Sequence, residues 1–261
     1  MIKKETRPTQ LSSVTNALRI LKSFSTLNPV RRVSELASEL GVSKSTVSRI
    51  IGTLVAEDFL TPDTKTAGYR LGYSLLTLGG ALANTNELYL EVAPVLNDIV
   101  LQTGESAHVA VLEGSDVIYL NKNTGPYYAN IMTQVGSHNP AHATSSGKVL
   151  LSEADQVVVN QIFSDGVKAY TEHTVLNPIK FNKDLDKVRK NGYALSIEEI
   201  QKDNYSIAVP VRNESGKIVC AIVVVGPLSR INKGKMEQFI RILKEAAFDA
   251  SERLGYEEER S

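Results

Sequence analysis

Apolar residues recur at helical spacing three times in the first sixty positions of the chain. Val14, Ala17, Leu18, Leu21 and Phe24 predict a helix over Leu11–Phe24, with Ser12 or Ser13 placed to cap it. Asn28-Pro29 then breaks the chain. A second helix is predicted over Ser34–Leu40, with Ser34 as N-cap, Glu35 complementing the helix dipole, and Leu36, Ala37 and Leu40 inward. Gly41 stops it, because glycine takes the left-handed conformation without penalty. Ser43 caps a third helix over Lys44–Glu57, whose Val47, Ile50, Ile51 and Leu54 form a buried stripe. Phe59-Leu60-Thr61 and Tyr69-Arg70-Leu71 then flank a polar loop ending in Gly68, the pattern of a hairpin. Three helices and a hairpin describe a winged helix-turn-helix, assigned to residues 9–72.

A largely helical stretch follows from Tyr73 to Leu101, interrupted by Gly79-Gly80 and with Pro94 near a second helical start. Residues 73–91 are assigned to a linker helix and 92–256 to a second domain. There the spacing predicts strands over His108–Leu112 and Val117–Leu120, and a third over Ala129–Val135. It predicts helices over Lys148–Ser164 and Phe181–Asn191, and a hairpin from Ser206–Arg212 and Lys217–Val225. A last amphipathic helix covers Lys233–Leu254. Central antiparallel strands flanked by helices make the second domain α+β.

Charge sharpens this division. The chain is neutral overall, yet residues 1–75 carry 11 Lys+Arg against 6 Asp+Glu, and the remainder 18 against 23. A basic front half suits a nucleic-acid module, although an ordinary solvated surface has the same balance. The longest apolar run, Val219–Val225, is too short to span a bilayer, and Lys3 and Lys4 have no apolar stretch behind them. With Cys220 as the one cysteine no intramolecular disulfide forms, and a cytoplasmic location is expected.

On the third helix the N-terminal end presents small hydroxyls and cations. Ser45, Thr46, Ser48 and Arg49 are assigned to the DNA groove, together with the cap Ser43, and Lys44, Lys65 and Arg70 to phosphates. An ordinary helix pair with a polar face is the alternative, and the wing argues against it. Elsewhere no catalytic set emerges. His138 and His142 have the spacing of a helical metal pair, but Asn139-Pro140 between them disfavours a helix, and no metal or cofactor is expected. Ser145-Ser146-Gly147 lacks the first glycine of a nucleophile elbow, and Ser146-Gly147-Lys148 lacks the upstream glycine of a phosphate loop. Cys220, among Val, Ala and Ile, is a small hydrophobe. A sensor or enzyme whose front domain only contacts proteins is the competing class.

Several segments, in this order and spacing, resemble the IclR family of bacterial regulators. They are SELASELGVSKSTVSRIIGTL at 34–54, YRLG at 69–72, GESAHVAVLEGSDVIYL at 104–120, AHATSSGKVLL at 141–151, NGYALSIEE at 191–199 and AVPVRNESGKIVCAIVVVGPLSR at 208–230. The resemblance implies a GAF-like effector-binding second domain, a homodimer or dimer of dimers, a palindromic operator on double-stranded DNA, and repression rather than activation. It also implies an effector pocket around Gly147. Ser196 stands where the family has an acidic residue, Ser206 where it has cysteine, and Val223 and Val225 where it has serines. Burying an ionised carboxylate against two valines costs several kcal/mol, roughly, without compensating donors. The expected effector is therefore larger and more apolar than a two- or three-carbon acid, and aromatic character fits; packing of the two valines in a core, with the ligand nearby, is the alternative.

Overall fold

The computed structural model describes residues 11–126 and 133–257 and divides the chain into two compact units, 1–84 and 85–261.

In the first unit α1 (Ser12–Lys22), α2 (Val33–Leu40) and α3 (Lys44–Ala56) pack around Ile20, Leu36, Val47, Ile51 and Leu60. The inward stripe of α1 is Ala17, Ile20 and Leu21, with Phe24 just past its end packed on the same core, while Val14 and Leu18, expected inside, are half exposed. Neither Ser12 nor Ser13 caps this helix: Leu11 occupies the N-cap position and makes no side-chain cap. Nor does Ser34 cap α2. Arg32 is the N-cap, and the Glu35 carboxylate three residues on accepts from its N–H at 3.1 Å. Gly41, at φ +65°, ends α2 as predicted, and Ser43 caps α3 by accepting from the Thr46 N–H at 3.2 Å.

The wing is an antiparallel pair, β1 (Leu60–Pro62) with β2 (Tyr69–Leu71), in the register Leu60 to Leu71. Arg31 adds a bridge to Tyr69 through both backbone groups, tying the wing to the start of α2. Gly72 leaves the wing where a Cβ would sit 2.0 Å from the Asp58 carbonyl oxygen, so only glycine fits. The following helix, α4 (Ser74–Thr85), runs through Gly79-Gly80 without a break. Two glycines weaken a helix by propensity but create no steric stop. The interruption comes after it, where the Asn86 side chain accepts from the Tyr89 N–H at 3.0 Å.

In the second unit a π-helical turn (Leu88–Val92) leads through Pro94 into α5 (Val95–Thr103). A six-stranded antiparallel sheet follows, in the order β5-β4-β3-β8-β7-β6. Its strands are β3 (Ser106–Glu113), β4 (Asp116–Asn123), β5 (His138–Pro140), β6 (Ala194–Ile197), β7 (Asn204–Arg212) and β8 (Ile218–Pro227). The strand expected over Ala129–Val135 lies outside the described residues at 129–132, and 133–135 form a loop. The edge strands β5 and β6 are too short to be picked out by alternation.

Both faces of the sheet are covered, which explains the unbroken apolar run in β8. One face packs Ile222 and Val224 of β8 and Ile207 and Val209 of β7 against α5 and the long C-terminal α9 (Lys233–Arg253). The other turns Ala221, Val223 and Val225 toward α6 (Ser145–Ser152), α7 (Gln156–Ser164) and α8 (Pro178–Asn191). The single helix expected over 148–164 is thus two. Asp155 starts the second by accepting from the Val157 N–H at 2.9 Å.

Candidate nucleic-acid interface and effector cleft

Capping sets the exposed end of α3. Besides the Thr46 N–H, the Ser43 hydroxyl meets the Ser45 and Thr46 hydroxyls, each at 2.8 Å, so three hydroxyls cluster at the positive end of the helix. Lys44, Ser45, Thr46, Ser48 and Arg49 are all exposed, while Val47 and Ile51 hold the opposite face in the core. On the wing Lys65 is exposed as well.

Arg70, also exposed, has a partner within the wing. Its Nε donates to Asp63 at 2.5 Å, and Thr66 Oγ1 donates to the other oxygen at 2.7 Å. The Thr66 hydroxyl, then Arg70, holds the Asp63 carboxyl below the usual carboxylate range. Arg70 therefore braces the wing, and its charge is offset by Asp63 before any phosphate is met. The sequence reading missed Asp63. Its signal was the Asp63-x-x-Thr66 turn spacing.

In the second unit a small, partly open cleft of about 60 Å³ lies over the sheet at the N-terminus of α6. Across the sheet Ser196 of β6 pairs with Ser206 of β7, and Ser206 with Val225 of β8. Ala208 pairs with Val223, which in turn faces His108 on β3. Register therefore brings four of the five expected effector residues, Ser196, Ser206, Val223 and Val225, into the cleft wall. The two valines are both buried in its floor.

Gly147 is not on that wall. A Cβ there would lie 2.0 Å from the Ala141 carbonyl oxygen, so the glycine lets α6 pack onto the buried 141–143 turn. Its N–H is bound by the cap Thr144 at 3.0 Å. The wall is built instead by its neighbours Ser145 and Ser146. Ser145 Oγ donates to Ser206 Oγ at 2.7 Å, and Ser196 Oγ donates to the Ala143 carbonyl at 3.0 Å. The Ser146 hydroxyl is buried facing the Tyr119 phenol and makes no well-aligned hydrogen bond to it.

Behind the wall the buried Lys148 ammonium pairs with Glu199, donates to the Leu195 carbonyl at 3.2 Å, and lies 4.0 Å from Asp184. Burial raises the Glu199 carboxyl above its ordinary value in spite of Lys148. At the inner end His108 Nε2 meets Thr133 Oγ1 at 2.8 Å, and burial, reinforced by Lys122, lowers the imidazole to about 3. Tyr119, Thr133, Ser145, Ser146 and Glu199 were all missed by the sequence reading. All of these but Thr133 stood inside segments that it quoted.

The remaining chemistry candidates fall apart in space. His142 is buried with Nε2 3.0 Å from the Lys168 carbonyl, whereas His138 is exposed and 3.9 Å from Asp116. No cluster able to hold a metal ion occurs among the described residues. Cys220 faces the other layer, against α5 and α9, and burial pushes its thiol up to about 12. No helix of the described residues is long and apolar enough to cross a membrane.

Two family models match the chain: the IclR helix-turn-helix domain over residues 13–64, and the bacterial transcriptional regulator IclR C-terminal domain over 81–252. The glycerol operon regulatory protein of Streptomyces coelicolor is 31% identical over 85% of this chain and 88% of its own length. The transcriptional repressor IclR of Escherichia coli is 26% identical over 94% and 91%. Among solved structures, an IclR homologue from Microbacterium hydrocarbonoxydans complexed with 4-hydroxybenzoate superposes with a TM-score of 0.83, at 26% identity over 93% of this chain and 98% of that one. With a helix-turn-helix in front and an α+β domain behind, both matched in order, this chain belongs to the IclR family of DNA-binding transcription regulators, which are not enzymes.

Proposed function

We propose that this regulator represses transcription from a (pseudo)palindromic operator, as a homodimer or dimer of dimers, and is controlled by a small molecule in the cleft beside α6. The exposed Lys44–Arg49 end of α3, with its core-facing side fixed by Val47 and Ile51, is the observation that carries the DNA-binding half. Ser45, Thr46, Ser48 and Arg49 read the major groove, and Lys44 and Lys65 neutralise phosphate. Repression follows the name of the Escherichia coli relative. Self-association is supported by Val14, Leu18, Tyr73, Leu76 and Leu78, large apolar side chains that the first unit leaves more than half exposed. Occupancy of the cleft acts through the 73–91 connector on the spacing of two winged helices, and half-site spacing turns that into affinity.

For the effector, Val223 and Val225 in the floor favour a ligand with an apolar body, and the Microbacterium relative was captured with an aromatic one. A gel shift on DNA flanking the gene, at two salt concentrations, tests the DNA half: retardation that weakens with salt is expected. Absence of binding to any native flanking DNA, with or without ligand, overturns it. Tight calorimetric binding of glyoxylate or pyruvate overturns the apolar effector.

A further inference from the structure

Three buried polar atoms on residues of the cleft wall lack a hydrogen-bond partner: Ser146 Oγ, Glu199 Oε2 and Tyr205 OH, the last set apart from the other two beside Glu105 and Gly226. Ser146 is 0% and Glu199 7% exposed, so bulk water does not make up the deficit. The protons of Lys148, Ser196 and Ser145 are already spent. Lys148 serves Glu199 through the other carboxylate oxygen and gives a second bond to the Leu195 carbonyl. Ser196 is close enough to influence Glu199, but its single proton goes to the Ala143 carbonyl. Ser145 spends its proton on Ser206, which keeps its own. The wall is therefore short of one donor at Glu199 and holds spare hydroxyl protons at Ser146 and Ser206.

Charge points the same way. Among the described residues no Lys, Arg or His lines the cleft, whereas Glu198 and Glu199 do. The N-terminus of α6 offers only about half a positive charge, and its Gly147 N–H is already bound by Thr144. A carboxylate group can only accept: placed at this end of the cleft it would leave Glu199 Oε2 unmet and sit beside another carboxylate. A hydroxyl both donates and accepts. We infer that the effector is an uncharged, hydroxyl-bearing molecule that donates to Glu199 Oε2, exchanges hydrogen bonds with Ser146 and Ser206, and lays its apolar body on Val223 and Val225. Glu199 thereby selects against acids. This rests on the reading of the cleft as the effector site.

The test is calorimetric titration of the full chain with 4-hydroxybenzyl alcohol and 4-hydroxybenzoate, with gel shifts in parallel. The two share ring and phenol, so their affinity ratio reports the charge. The alcohol is expected to bind about tenfold tighter or better. E199Q should bring the ratio close to unity. S146A, which leaves the Lys148–Glu199 pair in place, should weaken the alcohol severalfold. Equal or tighter binding of the carboxylate by the unaltered protein overturns the inference, as does an E199Q protein that keeps the preference. If E199Q fails to fold, the unaltered protein's ratio decides alone. Carboxylate binding that releases DNA sinks only this inference; failure of both compounds to bind at millimolar concentration sinks the effector-cleft reading with it.

Discussion

Replacing Gly147 with alanine tests whether α6 rests on the 141–143 turn at a distance no side chain permits. The added methyl would lie 2.0 Å from the Ala141 carbonyl oxygen and 2.4 Å from its Cα. Both are backbone atoms of a buried turn, so neither swings aside as a flexible side chain would. To restore normal contact α6 must back away by more than about 1 Å, and forced overpacking of this kind costs about 3 kcal/mol. Better helix propensity returns about 1 kcal/mol, leaving a net loss of about 2 kcal/mol. For a unit of this size that lowers Tm by roughly 4–8 °C. Gly52→Ala in α3 is the internal control: nothing lies within 4 Å of its Cβ, so the same change should stabilise by about 0.5–1 kcal/mol. Scanning calorimetry of the full chain reads both, and hydrogen exchange of the α6 and β7 amides assigns the transition. A Gly147→Ala protein that melts at or above the unaltered temperature refutes the close-approach argument and returns Gly147 to the role of a ligand contact.

Three further outcomes follow from the same geometry. Ser43→Ala removes the cap from α3 and should cost about 1 kcal/mol in denaturant unfolding of the first unit; an unchanged midpoint would show the cap to be idle. Arg49→Ala should weaken operator binding more than non-specific binding, and equal losses in titrations on both DNAs would make Arg49 a phosphate contact instead. His108 has a folded pKa near 3, below its unfolded value, so its contribution is whole above about pH 6.5 and drains away as pH falls toward 3. At pH 5 that amounts to about 2 kcal/mol, and His108→Gln should abolish it. Urea unfolding of both proteins at pH 7 and pH 5 checks this, and identical pH slopes would count against it.

Much of the molecule was legible before any coordinates. The winged helix was readable because its signals are local: Gly41 stops one helix, Ser43 starts the next, and the change from helical spacing to alternation at Phe59 marks the wing. Other local signals were misread. Gly79-Gly80 looked like a break yet stays helical, and α6 and α7 looked continuous until the Asp155 cap divided them. The Arg70–Asp63 pair went unseen because the two, seven residues apart, become partners only when the wing closes.

For the second unit, alternation along the chain identified the central strands, and family motifs pointed to Ser196, Ser206, Val223 and Val225. Which side chains share the cleft was decided by strand order and register, because β6, β7 and β8 must pair before those four residues stand side by side. Ser145 meets Ser206 across 61 residues of chain, and Lys148 meets Glu199 across 51. No periodicity reaches that far. The sequence by itself therefore determined the helices, the wing and the family, since these depend on near neighbours and motif order. Only the tertiary structure decided that Gly147 serves packing and that Glu199 is buried against Lys148 at the edge of the cleft, because burial and hydrogen-bond supply depend on residues far apart in the chain.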